Sequence, residues 1–555
     1  MKQLYIILLF FCFAKAEGVI NERVIVHTDK DCYFAGEDIY VKMLVINPLF
    51  QISDLSRVGY VEICDTEKPY IQLKLAIENG KGYGKIAVPD NIPSGIYQLC
   101  GYTRFMRNEG EQSFFKSRIA IINSIRRSEK DRIEILDKPT ALITDDVPIA
   151  NSLKINTDRT LYKNRTQVEL SLEEIPDDVI DMTVSVFRND SLSAIPSFDM
   201  QQTIDRMRNF SPLNSSPDWL PEIEGHIING KIIPNTAPNV SVIPNISVIG
   251  KDIQYINGRK NPSDSIVTFY TSGVYNHKQL VSSIVNSFLE PLPNRLDIIS
   301  PFCEYLPDSL PVFATCLSNN QVNERSVAAQ LNTMFKDSVD FQPDIKPYFK
   351  LNKPLTYNLD EYTRFSTINE TIFEFIYQLK VSKVKGKRII QIYNPEEQAF
   401  NRGNSLILLD GAPVYDHEKL LAYSPYLIHK IDIYSGWCSF SGEAYCGIVA
   451  FTTFTGNLPS FRLGSESQLF EYDCPALPTP ALFPEYPTTA AKNNRQPDFR
   501  HTMYWNPTVE NLINNKRAQL SFYTSDLNGD YTAKVECITS SGKYITATCK
   551  FTVAF

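Results

Sequence analysis

The sequence predicts a mainly β protein: two β-sandwiches, an inserted third β domain, and a small α/β domain. Three observations predict it. A Thr-Asp-basic turn, a tyrosine and then an alternating strand occur twice, as Thr28-Asp29-Lys30 with Tyr33 and as Thr157-Asp158-Arg159 with Tyr162. Alternating or apolar runs separated by Gly, Pro and Asn follow the first copy at the spacing of an all-β sandwich. Between residues 357 and 457 the pattern changes to strand-like runs mixed with 3.6-residue periodicity. With 555 residues the chain is too long for one core.

Taken in order, residues 1–16 read as a signal peptide. Lys2 is the basic start, Leu4 to Phe13 the apolar run, and Ala14-Lys15-Ala16 the small-residue cleavage site. About ten apolar residues are too few to span a bilayer, and no later stretch is apolar enough to do so. Export is therefore expected, to the periplasm, the outer membrane or the cell surface. A net charge of −8 argues against nucleic acid as a partner. Of eleven cysteines, Cys12 falls in the leader. The compartment permits disulfides for the rest, and Cys438 with Cys446, Cys303 with Cys316, and Cys537 with Cys549 are the candidate pairs. Spacing does not fix connectivity. Cys32, Cys64 and Cys100 form an odd set, which implies at least one buried free thiol.

Residues 17–125 are assigned to the first sandwich. The second repeat copy stops after MTVSVFRND, and its missing strands are echoed at the end of the chain by RAQLSFYTSDLNGDYTAKVECI and YITATCKFTVAF. Residues 140–218 plus 498–555 are therefore expected to form one discontinuous sandwich. The alternative is an independent C-terminal unit, but about 55 residues make only a marginal core. Residues 222–295 read as a β domain and 296–356 as an irregular connector. Residues 357–457 read as the α/β domain and 458–497 as a Pro-rich connector. Within the α/β domain, Thr367 and Glu370 form a capping-box pattern ahead of Ile368, Ile372, Phe375, Ile376 and Leu379. Asp416 is placed to cap the segment HEKLLAYS.

Catalytic signatures are missing from the sequence. The six histidines offer no metal-ligand spacing, and there is no G-x-S-x-G elbow, Walker loop or Cys-x-x-Cys. NGKGYGK at 79–85 reads as a hairpin turn, since it runs on into a strand. SLILLDGAPVYD reads as a buried strand and tight turn, with Asp410, Gly411 and Pro413 shaping the turn. The other conspicuous stretch is SGWCSFSGEAYC. Tyr434, Trp437, Phe440 and Tyr445 surround Cys438 and Cys446 there, a candidate stacking surface for a peptide or glycan. Core packing is the alternative for these aromatics.

Three stretches resemble known families. The TDK-x₂-Y-x₂-GE repeat with its alternating strands resembles the macroglobulin-like β-sandwich of the α-macroglobulin superfamily. EIEGHIINGK at 222–231 is similar to the first strand of the carboxypeptidase regulatory-like β domain. LILLDGAPVYD, LIHKIDIYSG and GIVAFTTFTG resemble the plug domain of TonB-dependent outer-membrane receptors, through Asp410, Gly411, Pro413, Val414, Ile428, Ile431, Gly447, Ile448, Val449, Thr453 and Gly456. The combination resembles exported envelope proteins of Bacteroidetes-type bacteria. About 100 residues follow Gly456, too few for a transmembrane barrel, and no cysteine is followed by Gly-Glu-Gln, so thioester trapping is excluded. The resemblances imply a non-enzymatic envelope protein without a cofactor, binding an envelope protein or glycan. A protease inhibitor working without a thioester, with 458–497 as its exposed segment, is the alternative. An enzyme with dispersed site residues is a third.

Overall fold

A computed structural model of the chain describes residues 21–135, 153–189, 199–209, 218–234, 242–261, 265–315, 319–334, 353–384, 386–401 and 404–554. The expected signal peptide lies outside the described residues, as does Cys316. The protein is mainly β, as its sequence predicts. It divides into two units: Met1–Pro221 with Glu304–Val339 and Pro478–Phe555, and Glu222–Cys303 with Asp340–Leu477.

The first unit holds two sandwiches. In the first, a sheet ordered Arg23–Thr28, Asp38–Ile46, Lys81–Ala87 packs on one ordered Cys32–Phe34, Phe115–Ile122, Gly95–Thr103, Val58–Cys64, Pro69–Ala76. The sheets approach closely at Gly59 and Gly101. A Cβ there would fall 2.1 Å from the Met43 sulfur and 2.4 Å from a Val26 methyl. The hairpin into Lys81–Ala87 turns on Asn79 and Gly80, with φ of 49° and 70°, the left-handed pair of a type I′ turn.

The second sandwich repeats the plan from two distant pieces of chain. Lys154–Thr157, Gln167–Glu173 and Ala518–Tyr523 form one sheet. The other is ordered Leu161–Tyr162, Tyr544–Val553, Gly529–Thr539, Val179–Arg188, Thr502–Asn506. Val168 stands opposite Phe522, and Val184 opposite Val535. Val168, Leu170, Val184, Phe522, Val535 and Phe551 share one buried core. In both sandwiches the short strand ending the repeat motif, Cys32–Phe34 or Leu161–Tyr162, pairs in parallel with the last strand of its sheet.

The repeat motif is a hydrogen-bonded corner. Tyr33 Oη donates to Asp29 Oδ1 at 2.7 Å, and Tyr40 N donates to the same oxygen at 3.0 Å. In the second copy Asp158 Oδ1 accepts from Tyr162 Oη at 2.7 Å and from Glu169 N at 2.9 Å. The aspartate thus ties the turn before one strand to the start of the next, and the tyrosine ring fills the space beneath. This explains the spacing Asp-x-x-x-Tyr.

Two longer helices stand where the sequence predicts none. Met200–Asn209 follows the second copy, and Asn319–Met334 occupies part of 296–356, expected to be an irregular connector. The second helix has a weak apolar stripe, so periodicity conceals it. It is anchored instead by a buried arginine. Arg325 donates to both Glu37 oxygens at 2.8 and 3.0 Å and to the Cys32 carbonyl at 2.8 Å. That connector also supplies the strand Phe313–Thr315, which pairs with Ile133–Ile135.

In the second unit, one sheet is ordered Arg259–Lys260, Ile266–Tyr270, Ile227–Ile233, Arg295–Ile299. Another is ordered Tyr255–Asn257, Ile243–Ser247, Gln279–Val285, Ser467–Glu471. The last strand corrects the reading of 458–497 as a connector. It covers the edge of Gln279–Val285 with Gln279 opposite Glu471, which removes an open row of backbone donors and acceptors. The α/β part has a sheet ordered Leu355–Asn358, Ile428–Tyr434, Ile448–Thr453, Leu406–Leu409, Ala412–Pro413. Its helix Ile368–Phe375 starts at Thr367, whose side chain accepts from Glu370 N at 3.2 Å; Glu370 returns a bond to Ser366 N rather than to the cap. Asp416 likewise caps His417–Leu421.

Candidate functional site

The Asp410 turn is where its sequence places it, between Leu406–Leu409 and Ala412–Pro413. Asp410 and Gly411 have φ of 45° and 77°, again the paired left-handed conformations of a type I′ turn. The carboxylate is buried and fully engaged. Oδ1 accepts from Thr453 N at 2.7 Å, while Oδ2 accepts from Thr453 Oγ1 at 2.7 Å and Leu458 N at 2.8 Å. Thr453 Oγ1 in turn accepts from Gly456 N at 2.9 Å. Asp410 thus stitches its turn to the end of the neighbouring parallel strand, rather than bonding only within the turn. With three donors on it, this carboxylate is a structural tie.

The aromatic stretch separates into two roles. Cys438–Phe440 and Glu443–Tyr445 form a hairpin. Phe440 and Tyr445 are buried against Tyr255 in a shared apolar cluster, and Asn257 Nδ2 donates to Tyr445 Oη at 2.7 Å. Burial, with lesser charge effects, pushes the Tyr445 phenol up to about 12. Tyr434 is half-buried against the same cluster. Trp437 is different: it is 53% exposed, and its indole N–H donates to Glu397 at 3.2 Å. The expected aromatic surface thus reduces to one exposed indole on a hairpin rooted in the core.

Two of the candidate disulfides are corrected. Cys438, Cys446, Cys537 and Cys549 are free thiols. Cys438 stands opposite Tyr445, so Cys446, one residue further, projects to the other face. Its partner thiol lies instead toward the carbonyls of Gly436 and Tyr434, at 3.7 and 4.0 Å. Cys537 is opposite Ile545 and Cys549 opposite Ala533, four residues out of step along neighbouring strands. That offset is about 13 Å, well beyond bridging range. The pairing of Cys303 with Cys316 cannot be placed, because Cys316 lies outside the described residues. Among the odd set, Cys64 is a buried thiol pushed up to about 12 by burial, then by Glu62 and Asp65.

Two buried polar clusters escaped sequence reasoning. In the second unit His226 lies between Glu222 Oε1 at 2.8 Å and Tyr472 Oη at 2.5 Å, with Glu222 also accepting from Ile227 N at 2.7 Å. All three side chains are buried. Glu222 and His226 are four residues apart, but Tyr472 arrives from beyond the α/β part, so only half of the trio carries a local signal. In the first unit Lys42 and Asp181 form a buried ion pair joining the two sandwiches. Lys81 Nζ lies 3.5 Å from Asp181 and 3.0 Å from Glu510, and His27 lies 3.8 Å from both Asp181 and Glu536. Burial opposes ionisation of Asp181, but Lys42, His27 and Lys81 outweigh it and hold the carboxyl below its ordinary range. Among the described residues no cluster of His, Cys, Asp and Glu could hold a metal ion.

Fold and sites together define a class: a β-sandwich protein carrying an α/β module, in which the buried carboxylates of Asp29 and Asp410 tie turns to strands. No protein-family model and no curated protein matches the chain. Among solved structures it is similar to Salmonella alpha-2-macroglobulin reacted with methylamine, at 8% identity and a TM-score of 0.23, covering 96% of this chain and 40% of that one. Trypsin-activated alpha-2-macroglobulin from Escherichia coli gives 8% identity and a TM-score of 0.23, covering 96% and 42%. Dimeric latent PorU from Porphyromonas gingivalis gives 9% and 0.14, covering 96% and 34%. The chain spans well under half the length of each, and at such TM-scores no property is carried across from them. No helix among the described residues is long and apolar enough to cross a membrane.

Proposed function

We propose that this protein is an exported, non-enzymatic scaffold that presents its plug-like α/β module to a protein or glycan partner in a bacterial cell envelope. The observation that carries the reading is Trp437, held out on a hairpin whose other aromatics, Phe440 and Tyr445, are locked in the core. A rigidly rooted, exposed indole offers a large contact area at low entropic cost, as interface anchors do. The conspicuous carboxylate Asp410 is consumed in structural bonds, which supports binding over chemistry. The apolar leader of the sequence supports export. Crosslinking of tagged protein in intact envelopes tests the reading. Wild type should capture a defined partner, and Trp437→Ala should reduce its yield at least about tenfold, the size of a hot-spot loss. Fractionation with the cytosol, or equal capture by the variant, overturns it.

One observation favours a second reading, inhibition of proteases without a thioester. Residues 487–495 are exposed except for Ala491, and they include Lys492 and Arg495. The Arg165 guanidinium fixes this stretch by donating to the carbonyls of Lys492 at 3.1 Å and Gln496 at 2.7 Å. If trypsin cuts after Lys492 or Arg495 and keeps full activity on large substrates, this second reading fails.

A further inference from the structure

Away from the Trp437 hairpin, the α/β module carries a second exposed surface that mixes aromatic rings with positive charge. The helix Ile368–Phe375 and the residues just after it present Phe373, 83% exposed, and Tyr377, 77% exposed. The two stand four positions apart, and exposed apolar side chains that gather on one surface mark interaction sites. Their companions Ile372 and Ile376 are buried, and Phe375 stacks on Tyr362 at 4.4 Å. The two open rings are therefore left over after the core is complete.

The chain then enters the hairpin Leu379–Val384 with Lys387–Asn394. Lys380, Lys383, Val384, Lys387 and Arg388 are exposed along it. Val384 stands opposite Lys387 and Lys383 opposite Arg388, so both faces of the hairpin end carry a cation. Arg388 is neutralised by Glu418, at 2.6 Å. Lys380, Lys383 and Lys387 make no ion pair within 4 Å among the described residues, and Glu374 is the one acid between Phe373 and Arg388. In a chain with a net charge of −8, these cations follow the open rings within fifteen positions of Phe373.

We propose that this surface docks on an anionic bilayer. Lysines on the hairpin would contact headgroup phosphates with their stems lying along the apolar boundary, and Phe373 and Tyr377 would enter the headgroup layer between them. A bilayer suits this surface because it takes both components at once, charge by long-range attraction and open rings by burial. The overall negative charge would repel the rest of the molecule from such a surface, so docking would have one orientation.

Sedimentation of the chain with phosphatidylcholine vesicles, with and without phosphatidylglycerol, tests this. Binding should require phosphatidylglycerol and weaken steeply as salt is raised. K380E/K383E/K387E should lower partitioning by more than roughly tenfold, and F373S/Y377S by several-fold at any salt. The chain is used without residues 1–16, so that the apolar run Leu4 to Phe13 adds no binding of its own. The five substituted side chains are exposed, and matching circular dichroism checks that the variants fold. Equal binding to neutral vesicles, no binding, or undiminished binding by either variant overturns the proposal. None of these results bears on capture of a partner through Trp437.

Discussion

The two copies of the Asp-x-x-x-Tyr corner share their inner hydrogen bonds and differ in everything around them. Asp29 is buried, and its second oxygen accepts from Lys30 Nζ at 3.2 Å and from Thr502 Oγ1, a residue of the second sandwich. Lys30 also donates to Thr502 Oγ1 at 3.0 Å and lies 3.5 Å from Glu37, which holds Arg325. In the second copy the Arg159 side chain is 65% exposed, and among the described residues its ion pair is with Asp158, at 3.4 Å. A local motif thus sets the same turn twice. Its surroundings make one copy a junction between sandwiches and leave the other a surface corner.

The comparison breaks or sharpens most at the aspartates. Asp29→Ala removes the buried carboxylate shared by Lys30, Tyr33, Tyr40 N and Thr502, and should cost about 3–5 kcal/mol. Asp158→Ala loses two bonds at a partly open site and should cost about 1–2 kcal/mol. Urea midpoints read the difference, and equal losses would show that the surroundings contribute nothing.

Acid should separate the copies next. Burial alone would raise the Glu37 carboxyl, but Arg325 and then Lys30 draw it well below the usual carboxylate range. Because the folded value is the lower one, the stabilisation is present above the unfolded value, near 4.5. It is lost as the pH falls from there toward the folded value. Glu37→Gln should therefore flatten the decline in urea midpoint between about pH 5 and pH 3. Asp158, also lowered but closer to solvent, should contribute a shallower slope. The smallest effect belongs to Arg159→Ala, expected within about 0.5 kcal/mol, whereas Lys30→Ala should exceed it by at least about 1 kcal/mol.

What could be read from residues followed how far apart the interacting groups lie. The corner, the caps at Thr367 and Asp416, and the Asp410-Gly411 turn are settled within a few residues, and their types are visible as letters. The strands of 518–553 are legible as an echo of the first sandwich, whereas Thr502–Asn506 is not. The helix Asn319–Met334 was not, because Arg325 reaching Glu37 gives it more of its place than an apolar stripe does. Nor was the strand Ser467–Glu471, whose partner lies about 190 positions earlier and whose prolines on either side mask it. The Tyr434–Cys446 stretch misled for a related reason. Aromatics on a hairpin look alike in sequence, and only the fold of Tyr255 beneath them divides buried from exposed.

The split second sandwich has a consequence for how the protein is made. Val179–Arg188 finds both of its neighbours, Thr502–Asn506 and Gly529–Thr539, near the far end of the chain. At ~5–20 residues per second, the ~300 intervening residues take about 15–60 s to emerge. For that interval the strand has two unsatisfied edges and a bare apolar face, a state open to mispairing. A chaperone that masks such edges would act on this segment first, and the folding of the first unit would be timed by its last strands.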